Sequence, residues 1–257
     1  MLKKNYKEFR IFHQPKTAGT YCIESLKPFY SRYVLNHNIN YNLFLRQKIS
    51  NRDQILPVNI VRDPLDFYIS LISFWLLDNK YTQLYDINLR NKKYLEIKHN
   101  KCGHLGIILG ANCGNNVEEI LENIFSDDFN KNHQEILSKQ FHTYDCYVFN
   151  DLERLSIGLY TWMFLDQFSR KKVTEISSRD ECVEEIKYIK NTFYTLETSK
   201  IDTNLKALCD QFNIQKKKIN YKPMASNRKE KKEYKISNQL LNKIFTKDDF
   251  LYRFYFD

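Results

Sequence analysis

The stretch that most restricts how this chain can fold is Phe9 to Leu26, FRIFHQPKTAGTYCIESL. It opens with a β-prone apolar run (Phe9, Ile11, Phe12) and passes the turn-forming Gln14-Pro15. A small, hydroxyl-rich loop follows, then a segment whose Cys22, Ile23 and Leu26 recur at helical spacing. Strand, loop and helix in that order put the loop at a helix N-terminus, where unpaired backbone N–H groups and the positive end of the helix dipole attract an anion. Lys16 adds a full charge, Thr17 and Thr20 add hydroxyls, and Gly19 lets the backbone come close to the bound group.

A second block, Val58 to Ser73, repeats the arrangement as VNIVRDPLDFYISLIS. Val58, Ile60 and Val61 form a predicted strand that runs into Arg62-Asp63-Pro64. A long apolar helix is expected from about Leu65 to Leu77, with Pro64 suited to its first turn. A helix between the two strands implies a right-handed crossover and parallel pairing. Both loops then sit at the carboxyl ends of their strands, where open α/β sheets bind ligands.

The phosphate-loop NTPase pattern places its lysine after the second glycine and directly before Ser or Thr. Here the lysine precedes the single glycine of the loop. The string PKTAGT instead resembles the 5′-phosphosulfate-binding loop of sulfotransferases that use 3′-phosphoadenosine 5′-phosphosulfate (PAPS). The closest likeness is to the carbohydrate branch with its heparan sulfate 2-O-sulfotransferase-like members. Arg62, followed eight residues later by Ser70, resembles the same family's 3′-phosphate-binding element.

The resemblance implies an α/β, helix-rich, three-layer P-loop-like fold whose central parallel sheet is flanked by helices. It implies PAPS as sulfuryl donor, a carbohydrate hydroxyl or an anionic glycan as acceptor, and no metal and no nucleic acid. The 5′-phosphosulfate would be held by Pro15, Lys16, Thr17, Ala18, Gly19, Thr20 and Tyr21, and the 3′-phosphate by Arg62 and Ser70. A late loop with Ser226, Asn227 and Arg228 would close over the nucleotide. Lys16 would neutralise charge on the leaving phosphate oxygen. His37, in the interval where such relatives carry a catalytic histidine, would take the acceptor proton, because an imidazole is largely neutral near pH 7. Glu24, one turn past Thr20, is the alternative base or an orienting group for Lys16; His99 and His104 are further candidates, and His13 is expected in the core.

Composition agrees with a folded, anion-seeking protein. The chain has 257 residues, a formal net charge of +9, 42% hydrophobic residues and only 6 glycines and 5 prolines. A single domain spanning residues 1–257 is expected, because no Pro- or Gly-rich linker divides it. MLKKNYKEF lacks a signal-peptide apolar core and no run is long enough to span a membrane, which fits either a soluble microbial member or a chain trimmed of an N-terminal anchor; the soluble, cytoplasmic form is the expectation. The six cysteines are scattered and fit no common zinc spacing.

Further along, Leu35 to Pro57 reads as a polar connection, Lys- and Asn-rich residues 78–100 as a surface segment, and Cys102 to Asn116 as a glycine-rich loop. Helices are predicted over Asn116 to Phe125, from Asp151 through the stripe Leu155, Leu159, Trp162 and Met163, and over Glu181 to Thr195, Thr203 to Phe212 and Gln239 to Phe245. A short strand is expected at Tyr144 to Asn150, and the closing KDDFLYRFYF is expected to pack on the sheet. Two other functions fit parts of the pattern. A nucleotide kinase or NTPase with a degenerate loop would use Asp63 for magnesium, and a non-catalytic binder of nucleic acid or polyanionic glycan would use its basic face.

Overall fold

The computed structural model of the protein describes residues 6–14, 17–34, 39–77, 117–126, 151–214 and 234–256. These fall into two compact units, each assembled from separated stretches of chain. The first draws on Met1–Asp63, Leu159–Asn227 and Phe250–Asp257, the second on Pro64–Gly158 and Arg228–Asp249.

The first unit is built on a three-stranded parallel sheet of order β1 (Glu8–Ile11), β2 (Ile55–Val61), β3 (Tyr194–Glu197). All seven residues of β2 are buried, as expected for a central parallel strand covered on both faces. Phe9 pairs with Leu56 and Ile11 with Val58 on one side, and Val58 pairs with Tyr194 and Val61 with Glu197 on the other. Pro57 is tolerated in this central strand for a local reason. The Gln54 and Val58 carbonyls turn toward β1, where they accept the Lys7 and Phe12 N–H groups at 2.8 and 2.9 Å. Pro57 therefore faces the opposite side, where pairing with β3 begins only at Val58, and its missing N–H interrupts no ladder bond.

Helices cover both faces. Side chains alternate across a strand, so Phe9, Ile11, Leu56, Val58, Ile60 and Leu196 point to one face. They pack there with Cys22 and Leu26 of the α1 segment (Gly19–Ser25 and its C-cap) and with Leu205, Leu208 and Cys209 of α7 (Ile201–Gln211). On the other face Phe12 makes edge-on ring contacts with Tyr41 and Phe44 of α2 (Tyr41–Arg46) and with Phe193. Phe193 in turn meets Phe168 of α5 (Leu159–Phe168). The chain end is part of this layer: Tyr255, in the π-turn Tyr252–Phe256, faces Asn59 of β2 and packs on Phe164, and burial raises its phenol pKa. The aromatic ending thus packs where the sequence places it.

In the second unit α3 (Pro64–Leu77) packs with α4 (Val117–Ile124) and α8 (Asn238–Lys247). Val117, Ile120 and Leu121 form the buried stripe of α4. Tyr68 stacks edge-on with Phe125 and donates its hydroxyl to the fully buried Asp248 at 2.7 Å. Gly158 lies against that carboxylate, where a Cβ would collide with it.

Several elements differ from the sequence reading. The connection Leu35 to Pro57 contains helix α2, and β2 starts at Ile55 rather than Val58. The helix expected from Asp151 through Met163 is two pieces, residues 151–155 and α5. Between them Ser156 adopts a left-handed φ of 52° and Ile157 and Gly158 are non-helical. Continuous apolar spacing concealed that break, since both pieces bury the same kind of side chain. The helix expected over Glu181 to Thr195 is α6 (Arg179–Thr192), and the chain then straightens into β3, the third strand that apolar periodicity did not separate from the helix. The strand expected at Tyr144 to Asn150, residues 78–100 and the glycine-rich loop lie outside the described residues. Among the described residues no helix is long and apolar enough to cross a membrane, and no group of His, Cys, Asp and Glu is arranged to hold a metal.

The start of α6 shows why the chain turns helical where it does. Ser178 caps the helix by accepting the Glu181 N–H at 3.2 Å. Glu181 reaches back to the Ser177 N–H and hydroxyl at 2.7 and 2.9 Å and also pairs with Lys171. The Lys171 partner, then the Ser177 donors, hold the Glu181 carboxyl down from its ordinary 4.5 to about 2. A depressed folded-state pKa means that this stabilisation is complete above pH 4.5 and disappears as the pH falls toward 2. Acid unfolding followed by circular dichroism should therefore show Glu181→Gln and the parent converging at the acid end of that window, with the parent the more stable above it.

Candidate functional site

The two motif loops leave adjacent strands. β1 runs into residues 12–14 and then the loop before α1, and β2 ends at Val61 and runs into Arg62-Asp63. Because β1 and β2 pair in parallel, both loops emerge at the carboxyl edge of the sheet. The third strand ends beside them, and the Thr198 hydroxyl donates to the Val61 carbonyl at 2.9 Å, bracing the point where β2 gives way to Arg62.

Within the first loop, Thr17 is fully buried and its hydroxyl donates to the Gln14 carbonyl at 2.8 Å, closing the turn from inside. The Gln14 side chain is 1% exposed, and both of its amide atoms are buried with no hydrogen-bond partner among the described residues. Two unsatisfied buried polar atoms of this kind are costly unless something supplies their bonds. Ala18 is the residue in left-handed backbone, at φ 61° and ψ 20°, and it precedes α1 as its N-cap. Gly19 is needed for a different reason from the one the sequence suggests. A Cβ there would run into the buried His13 imidazole, 2.8 Å from even its Cγ. The missing side chain makes room for a core histidine, and the conformational strain is carried by Ala18.

Thr20 is exposed on the first turn of α1. Tyr21 sends its hydroxyl to Asp202 of α7, which ties α1 to that helix. Glu24 pairs with Lys27 at 3.8 Å, with 42% of its side chain exposed. At the second loop the Arg62 N–H donates at 2.8 Å to the hydroxyl of Tyr160, a fully buried residue of α5, so the backbone of the arginine is anchored to the core while its side chain is half-buried. Asp63 is half-buried beside it. Ser70 belongs to the second unit, half-buried on α3.

The structure thus brings Thr17, Ala18, Gly19, Thr20 and Arg62 to one edge of the sheet. Pro15, Lys16, His37, Asn227 and Arg228, together with His99, His104 and Ser226, lie outside the described residues. Sequence reasoning missed Tyr160, Thr198 and Gln14, which shape this edge. A tyrosine inside an apolar helix and a threonine after an unrecognised strand carry no local signal, because their partners come from elsewhere in the chain. Comparisons with known protein families, with curated proteins and with solved structures find no match.

The loop geometry predicts opposite outcomes at neighbouring positions. Gly19→Ala should destabilise by about 1–3 kcal/mol, the usual cost of forcing a methyl into a packed site. Ala18→Gly should change stability by less than about 1 kcal/mol, because relief of the left-handed backbone offsets the added chain entropy. Urea unfolding of the two variants measures both.

Proposed function

We propose that this chain is a PAPS-dependent sulfotransferase with a P-loop-like sheet, transferring a sulfuryl group to a carbohydrate hydroxyl. One observation carries the reading. Two loops that are far apart in sequence, and that each resemble an element of the same nucleotide-binding family, leave hydrogen-bonded parallel strands at the same edge.

The donor, when bound, supplies an activated sulfuryl group on a phosphate oxygen. Thr17 to Thr20 offer backbone N–H groups, and the exposed Thr20 a hydroxyl, to the 5′-phosphate end. The resemblance gives Lys16 the task of neutralising the charge that grows as the sulfur–oxygen bond breaks, which stabilises the transition state more than the ground state. Arg62 offers a planar fork to the 3′-phosphate, and its backbone bond to Tyr160 limits the loss of freedom on binding. The resemblance gives the acceptor proton to His37 as general base, with Glu24 as the alternative.

Thermal unfolding with adenosine 3′,5′-bisphosphate and with AMP tests this. At a hundredfold excess over its dissociation constant the bisphosphate should stabilise by about 2.7 kcal/mol, AMP by much less, and Arg62→Ala should abolish the difference. Equal shifts from the two nucleotides would overturn the assignment.

A further inference from the structure

At the other end of the same sheet, the amino end of β2, a cleft of about 790 Å³ opens in the first unit. The seven residues of β2 separate it from the motif loops by roughly 20 Å, at about 3.3 Å per residue. Its floor includes Ile55 and Pro57 and its walls include Tyr6, Tyr41 and Tyr188. The volume is that of a small-molecule site.

The lining charge is one-sided: Arg46, Lys48 and Arg52 face it with Asp53 as the one acid. Two of the three cations are poorly committed elsewhere. Lys48 is exposed and has no ion pair among the described residues. Arg52 gives one guanidinium N–H to the Gln47 carbonyl, but its Nε–H is buried without a hydrogen-bond partner among the described residues. Arg46 has a loose pairing with Glu175 at 4.0 Å. An oxyanion in the cleft takes charge-assisted bonds from the terminal guanidinium nitrogens of Arg52 and the exposed ammonium of Lys48.

The tyrosines define the rest of the ligand. Tyr41 and Tyr188 hold their hydroxyls 3.3 Å apart, so after one donates to the other a single O–H remains to donate into the site. Tyr6 and Tyr188 are half-buried, and Arg170 stacks on the Tyr188 ring at 4.1 Å, which fixes its plane. Rigid aromatic faces beside hydroxyl donors suit a ring with a C–H face and its own hydroxyls.

We propose that this cleft is a second binding site, taking a sugar ring that carries one phosphate or sulfate ester, with Arg52 and Lys48 on the ester and the tyrosines against the ring. The site is independent of the nucleotide reading and stands or falls separately from it.

Isothermal titration of the full chain with glucose 6-phosphate, glucose 6-sulfate, unmodified glucose and inorganic phosphate tests the proposal. At least one ester should bind about tenfold more tightly than either glucose or phosphate alone, the factor that one charge-assisted hydrogen bond supplies, and the comparison of the two esters tells which anion is preferred. Arg52→Gln should weaken that ester by about tenfold and leave glucose unchanged. Lys48→Gln, at an exposed position, should weaken it in the same direction and keeps the test decisive if Arg52→Gln does not fold. Arg62→Ala, at the opposite edge, should leave ester binding as it was. Esters that bind no better than glucose, ester affinity indifferent to both cleft variants, or loss of ester binding in Arg62→Ala would each overturn the proposal.

Discussion

The first unit depends on β2 being buried along its whole length and paired in parallel on both sides. A parallel strand cannot be joined to its neighbour by a tight turn, so each pairing forces a long crossover that must pack on a face of the sheet. That requirement places α1 against Phe9, Leu56 and Ile60, and α2 and α5 around Phe12 and Phe193; α7, which follows β3, completes the first of these faces. It also delivers every strand-end loop to one of two edges. The carboxyl edge carries the motif loops and the amino edge carries the basic cleft, so the two proposed sites follow from one topological constraint.

The carboxyl edge is shaped from beneath by contacts within the protein. Thr17 closes its own turn on Gln14, His13 fills the space that Gly19 vacates, Tyr160 holds the Arg62 backbone and Thr198 holds Val61. Each of these is a hydrogen bond or a packed contact at least partly withdrawn from solvent, and the loops keep their form through them before any anion arrives. Preorganisation of this kind reduces the ordering cost of binding a highly charged group. The amino edge is arranged differently. There Arg52 and Lys48 are held near tyrosine walls with bonding capacity left over, which is the arrangement of a site that selects for charge.

A good part of this was legible in the chain. The strand at Phe9 to Ile11, the parallel crossover to Val58 to Val61, the helix after Pro64 and the amphipathic helices near residues 117, 203 and 239 all follow from local patterns of apolar spacing and proline. The loops before Gly19 and after Val61 stood out for the same reason, since their residue types are unusual over a few positions. What was not legible depended on distant partners. Tyr194 to Glu197 continues the apolar spacing of α6 and becomes a strand because the edge of β2 is there to pair with it. Residues 155–159 look like continuous helix, yet they break where Gly158 meets Asp248 and the Lys247 carbonyl.

Gly19 marks the boundary between the two kinds of information. The sequence by itself determined that a small residue stands between a strand and a helix, beside a lysine and two threonines, and that such a loop suits an anion. Only the tertiary structure decided that the glycine is required by the His13 ring, that Ala18 carries the left-handed turn, and that Arg62 is anchored by a tyrosine from far along the chain. Backbone periodicity and residue type act over a few positions and can be read in order. Contacts across the sheet join residues whose separation along the chain bears no relation to their distance in space, and those contacts settle which local preferences survive.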